Sequence, residues 1–113
     1  MHELGLMQNI VDTIQDYVKE NNVEKVAKVI LEIGGLSGVV PEALEFCFGL
    51  CAKGTVIEGA ELAIERVAAV GRCVKCGAEF DLVMHDFLCP DCKEGKWDLV
   101  SGRELIIKGL EVL

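Results

Sequence analysis

The sequence predicts an α+β fold: a small three-stranded mixed sheet with two helices on one face, plus an inserted cysteine-rich ribbon ahead of its last strand. Three observations carry this. Apolar residues recur at helical spacing in two segments, they follow strand spacing in three others, and two C-x2-C pairs fall between the second and third strands. The pairs are Cys73-Val74-Lys75-Cys76 and Cys89-Pro90-Asp91-Cys92, separated by a loop of a dozen residues. Each pair makes a tight turn that aims two sulfurs at one point, and a loop of ~12–20 residues lets the turns meet, as a tetrahedral four-thiolate Zn(II) site requires. The insertion therefore reads as a zinc ribbon with Cys73, Cys76, Cys89 and Cys92 as structural ligands. The composition shifts at Gly71, where cysteines, aspartates and turn formers begin. That sets an α/β domain at residues 1–70 and 103–113 and a ribbon domain at 71–102.

Met7, Ile10, Val11, Ile14 and Val18 recur every three or four residues, with Gln8, Asp12, Gln15, Asp16 and Lys19 on the other face, which predicts an amphipathic helix over about 4–21. Asn21-Asn22 ends it. Residues 25–33 alternate, with Ala27, Val29, Leu31 and Ile33 on one side, and predict a strand with one well-buried face. Three glycines among Gly34-Gly35-Leu36-Ser37-Gly38 carry too large an entropic cost for a regular element and predict a loop. Pro41 suits the first turn of a second helix with Leu44, Cys47, Phe48 and Cys51 as its apolar stripe and Gly54 as its stop. Strands follow at about 61–69, through Leu62, Ile64 and Arg66, and from Arg103 to Val112. The ribbon has too few apolar side chains for a core of its own and needs the metal as a staple.

Two other uses of the cysteines fit less well. Disulfides suit a small secreted domain, but no charged-then-apolar signal pattern is read here and the remaining sequence is apolar enough to build a core. A redox C-x-x-C wants a helix N-terminus to lower the thiol pKa, whereas Gly77 after Cys76 signals a turn. With 51% apolar residues and a net charge of −8, the chain reads as a single acidic globular protein. Four thiolates and one Zn(II) would take the charge to about −10, a surface that repels nucleic acid phosphate. One Trp, one Tyr and four Phe also leave few stacking platforms for a nucleic-acid module. No stretch approaches the ~20 apolar residues of a membrane span. Reduced thiols place the protein in the cytoplasm. No nucleophile–base pair, spaced carboxylate pair or phosphate loop argues for an enzyme.

The opening Met1-His2-Glu3 adds a second kind of donor. An α-amine (pKa ~7.7–8.0) and an imidazole (~6.5) both supply lone pairs near neutrality, and with backbone amide nitrogens they form a nitrogen-rich set suited to Ni(II) or Cu(II) and not to Zn(II). The plain alternative is a loose terminal histidine. His85, four residues before Cys89, reads as a surface imidazole in a solvated loop, and Cys47 and Cys51, at i and i+4, read as buried helix packing. Neither is assigned to a site.

Together the M-H-E start, the amphipathic first helix, I-G-x-L-S-G from Ile33 to Gly38, P-E-A-L-x-F from Pro41 to Phe46, A-K-G-T from Ala52 to Thr55, E-G-A from Glu58 to Ala60 and the paired C-x2-C motifs resemble the HypA/HybF family of hydrogenase nickel-incorporation proteins. The resemblance runs along essentially the whole chain. It implies a metallochaperone that receives Ni(II) as cargo and helps deliver it to the large subunit of a [NiFe] hydrogenase, working with a HypB-type GTPase, with a homodimer left open. It implies His2, with backbone of Met1 and Glu3, as nickel ligands, and Cys73, Cys76, Cys89 and Cys92 as zinc ligands. Some members carry histidines beside the C-x2-C pairs; here neither pair has one. The competing function is a zinc-ribbon adaptor without metal transfer.

Overall fold

A computed structural model describes residues 3–113. In chain order the elements are α1 (Glu3–Glu20), β1 (Val26–Gly34), α2 (Pro41–Cys51), β2 (Glu61–Val67), β3 (Val70–Cys73), β4 (Glu79–Asp81), β5 (Trp97–Ser101) and β6 (Leu105–Val112). They form two three-stranded sheets, ordered β2-β1-β6 and β4-β3-β5. The chain divides into two compact units. One takes 1–32, 38–65 and 106–113; the other takes 33–37 and 66–105. Among the described residues no helix is long and apolar enough to cross a membrane.

In the first unit α1 buries Met7, Val11, Ile14 and Val18 of the stripe its spacing prescribes, with Ile10 half-buried. Each such side chain contributes about 1.5–3 kcal/mol of apolar burial, an upper estimate. Asn22 (φ 54°) stops the helix in the left-handed conformation, which asparagine tolerates better than most residues. Val29, Leu31 and Ile33 of β1 are buried, with Ala27 half-buried, so one face of the strand lies against the core. Lys28 pairs with Glu61 at one end of β1 and β2 (3.4 Å), and Gly35 N–H donates to the Val67 carbonyl at the other (3.0 Å), so these strands run parallel, joined through α2. Leu113 N–H reaches the Lys25 carbonyl (3.0 Å) while Gly34 N–H reaches that of Glu104 (2.8 Å), so β6 runs antiparallel to β1 and the sheet is mixed.

Helix α2 buries Leu44, Cys47 and Phe48 and begins with Pro41 in its first turn. Its N-cap, Val40, makes no side-chain cap hydrogen bond; the Val40 N–H itself donates to Glu3 Oε2 at 3.2 Å, joining the first turns of the two helices. The helix ends at Cys51, three residues before Gly54. Thr55 closes the following turn, with both its N–H (3.0 Å) and its hydroxyl (2.6 Å) donating to the Ala52 carbonyl. Three residues contribute carboxylate or ammonium groups across the sheet, where Lys108 on β6 reaches Glu32 on β1 (3.9 Å) and Glu65 on β2 (2.7 Å).

The second unit contains a sheet whose strands are too short to register as periodic segments in the sequence. The central strand β3 pairs antiparallel with β4 (Gly71 opposite Phe80) and with β5 (Gly71 opposite Leu99, Cys73 opposite Trp97). Its core is small: Ala69, Cys73, Phe80, Leu82 and Cys89, with Leu36, Ala78, Trp97 and Leu99 packed around them. A Cβ on Gly71 would sit 2.6 Å from Leu82 Cδ2, so glycine is what lets Leu82 cross the central strand. At Gly34 a Cβ would collide with the backbone of Gly102, and at Gly102 (φ 124°) with Ala69 Cα at 2.7 Å. The segment after β1 therefore packs as bare backbone against Gly102, sealed by Leu36 N–H donating to the Gly102 carbonyl at 2.6 Å.

Candidate metal centre

Two turns of matching geometry present the cysteines. In the first, Gly77 adopts φ 77° and its N–H returns to the Cys73 carbonyl (2.9 Å), while Cys73 N–H donates to the Ala78 carbonyl (2.9 Å). In the second, Lys93 adopts φ 60°, its N–H returns to the Cys89 carbonyl (2.8 Å), and Cys89 N–H donates to the Glu94 carbonyl (2.9 Å). Both turns need a left-handed residue just after the second cysteine. The first uses glycine, which adopts it without penalty; the second forces it on a lysine, at about 1–2 kcal/mol. An ion pair between Lys75 and Glu94 (3.5 Å) links the two turns.

The turns bring all four sulfurs within 4.8 Å of one another, and among the described residues this is the one group of three or more such donors close enough to hold a metal ion. Cys73 and Cys92 sulfurs are 3.3 Å apart, Cys76 and Cys89 3.5 Å, and Cys76 and Cys92 3.9 Å. A tetrahedron of Zn–S bonds of ~2.3 Å has edges of about 3.8 Å, so the cluster has the size of a tetrathiolate zinc cage. Cys73 and Cys89 are buried, Cys92 is intermediate and Cys76 is exposed.

The thiols are not equivalent. Cys73 is drawn down to about 7, mainly because the Cys76 backbone N–H donates to its sulfur, with help from Lys75 N–H and the Cys92 and Cys76 thiols against the opposing effect of burial. Cys92 is pushed up to about 12, chiefly by its hydrogen bond with the Cys73 sulfur. At Cys76 the largest single influence, the Ala78 N–H, lowers the pKa, but Cys89, burial and Cys73 together outweigh it and the net shift is upward. Crowded sulfurs thus share protons until a cation takes their place, and Cys73 is the ligand most readily ionised.

The other sequence candidates fall elsewhere. Met1 and His2 lie outside the described residues. Glu3 is half-buried and engaged with Val40 N–H. Cys47 is buried and Cys51 half-buried on α2; the Cys51 thiol is raised by burial first, then by Cys47 and Asp12, as befits a packed thiol. His85 is not the free loop imidazole its position suggests: it is half-buried, edge-on to Phe80 with ring centroids 6.2 Å apart. The sequence did not reveal the supporting role of Trp97, whose indole N–H donates to the Phe87 carbonyl (3.1 Å) while its ring packs on the ribbon core. Its place opposite Cys73 on β5 was the only available signal, and reading it required the strand pairing.

Comparison with known proteins fits this architecture. The family described as "Hydrogenase/urease nickel incorporation, metallochaperone, hypA" matches residues 1–112. A hydrogenase maturation factor HypA from Geotalea uraniireducens is 47% identical over 112 residues, covering 99% of both chains. Another, from Trichormus variabilis, is 45% identical over 99% of this chain and 96% of its own. The solution structure of the Ni metallochaperone HypA from Helicobacter pylori shares the fold at 20% identity, with a TM-score of 0.69 over 100% of this chain and 98% of that one. A second HypA solution structure reaches 0.74 at 22% identity. The chain, with its four-cysteine cluster, belongs to the HypA family of nickel-incorporation metallochaperones for hydrogenase maturation.

Proposed function

We propose that this protein binds Ni(II) as cargo at its N-terminus, through the His2 imidazole and backbone atoms of Met1 and Glu3. With a HypB-type GTPase it helps pass the ion to the large subunit of a [NiFe] hydrogenase. Cys73, Cys76, Cys89 and Cys92 hold a structural zinc that keeps the ribbon folded. The observation that carries the reading is the family match over residues 1–112, which takes in both the opening tripeptide and all four cysteines.

The chemistry of the two donor sets supports a division of labour. Four sulfurs close a tetrahedron and leave no open position for a partner's ligand, so the cage retains its ion. Amine, imidazole and amide nitrogens at a chain end suit a square-planar ion and leave its flanks open to exchange, one ligand at a time. The Glu3 carboxylate, held by Val40 N–H, anchors the residue next to His2. The nitrogen donors must be deprotonated to bind, so nickel affinity falls with pH as first the α-amine (~7.7–8.0) and then the imidazole (~6.5) protonates. This is transfer by ligand exchange, without catalysis, in the reducing cytoplasm; a homodimer is compatible with it. Titrating Ni(II) into zinc-loaded wild type and His2→Ala tests the assignment: the variant binds at least tenfold more weakly, and equal affinity rules His2 out.

The adaptor reading keeps one observation in its favour. Val83, Met84 and Leu88 are 59%, 75% and 44% exposed on the ribbon, an apolar tip suited to docking. Acetylating the N-terminus separates the two: a metallochaperone loses nickel transfer, an adaptor keeps its function.

A further inference from the structure

Strand β6 is the last in the order β2-β1-β6, so one of its edges carries no strand among the described residues. Natural proteins usually protect such an edge with an outward lysine or a proline. Here β6 contains no proline, and its one lysine, Lys108, is drawn inward across the sheet to Glu32 and Glu65. Beside the edge lies an apolar trough of about 410 Å³ between α1 and β6, lined by Ile14, Tyr17, Ile107, Gly109, Leu110 and Val112 among others. Gly109 leaves it open, since a Cβ there would meet nothing within 4 Å. Exposed carboxylates flank its lining in sequence, with Asp16 and Glu20 each one turn from a lining residue of α1 and Glu111 between Leu110 and Val112 on β6, while Lys108 is engaged across the sheet.

We infer that β6 and this trough form a docking site for an extended segment of a partner protein, which adds a strand to the sheet and places a bulky apolar side chain, flanked by lysine or arginine, in the trough. The unpaired edge selects an extended backbone, because only a strand satisfies alternating N–H and C=O groups along a line. The trough selects one large apolar side chain, and the acidic rim selects basic neighbours. The rim also disfavours a second copy of this acidic chain as the occupant. The site is independent of the nickel reading and stands if that reading fails.

The test uses zinc-loaded, full-length protein and labelled eight-residue peptides of alternating valine and threonine with a central phenylalanine and either lysine or glutamate at both ends. Binding is followed by fluorescence anisotropy, and its location by amide hydrogen exchange. The lysine peptide should bind at least tenfold more tightly than the glutamate peptide and slow exchange along Leu105–Val112. Gly109→Val should leave the melting temperature unchanged and weaken that binding at least tenfold, since the new side chain enters the trough. Equal binding of the two peptides, no protection on β6, or wild-type affinity in Gly109→Val would each overturn the proposal. So would protection of β6 that appears without peptide and grows with protein concentration, which would make a second copy the occupant.

Discussion

Removing the metal should unfold one unit of this protein and leave the other standing. The ribbon's apolar core has only two large non-cysteine side chains, Phe80 and Leu82. Their burial contributes about 3–6 kcal/mol at about 1.5–3 kcal/mol each, and the partly buried Leu36, Trp97 and Leu99 add about half as much per side chain, roughly 5–10 kcal/mol in all, whereas structural zinc in small domains contributes ~10–16 kcal/mol. The four sulfurs lie within 4.8 Å of one another, three of the pairs at 3.3 to 3.9 Å, so the two turns converge on the metal position. Most of the energy holding β3, β4 and β5 together is thus metal-dependent. The chain carries its own reporters: its single Trp, Trp97, packs on the ribbon core, while both helices belong to the first unit. On titration with a strong zinc chelator, Trp97 emission should shift to the red while helical ellipticity at 222 nm is largely kept. Unchanged Trp97 emission would show that the ribbon core is self-sufficient. Parallel loss of both signals would show that the units do not fold separately; either result refutes the reasoning.

Gly102→Ala places a Cβ 2.7 Å from Ala69 Cα at φ 124° and should destabilise by at least about 2 kcal/mol, read as a lower midpoint in denaturant melts followed at Trp97. Lys93→Gly relieves a left-handed lysine and should raise the chelator concentration needed to unfold the ribbon, by up to about 1 kcal/mol after glycine's entropic cost. With metal bound, Cys51 should react with iodoacetamide more slowly at pH 8 than an ordinary exposed thiol. Its raised pKa lowers the thiolate fraction at any pH below it, and Asp12→Asn, which removes one of the causes, should speed alkylation as followed by mass spectrometry.

Helix α1 and strand β1 were legible because they are long enough to show their period. Met7, Val11, Ile14 and Val18 were marked by spacing alone and are the residues α1 buries. Val29, Leu31 and Ile33 were likewise marked and are buried on β1. The ribbon's cysteines were legible from spacing, but its strands were not: β4 has three residues and β3 four, below the length at which alternation carries information. Gly34 was read as loop-forming on entropic grounds, whereas it ends β1, and the physical reason for a glycine there is the backbone of Gly102, distant in sequence. No local rule shows that. Nor could the sequence show that Glu3 accepts the Val40 N–H, or that Lys93 takes the position glycine holds in the matching turn, because both depend on tertiary placement. At the N-terminus the residue types carried the argument, since the chemistry of an amine beside an imidazole does not depend on the fold.

Two metals should sort to two different donor sets on this chain. Untagged protein dialysed against equal Zn(II) and Ni(II) at pH 7.5, then analysed for metal by mass spectrometry, should hold one zinc and one nickel per chain, and His2→Ala should hold zinc alone. Nickel retained by His2→Ala, or nickel found in place of zinc on the four cysteines, would contradict it.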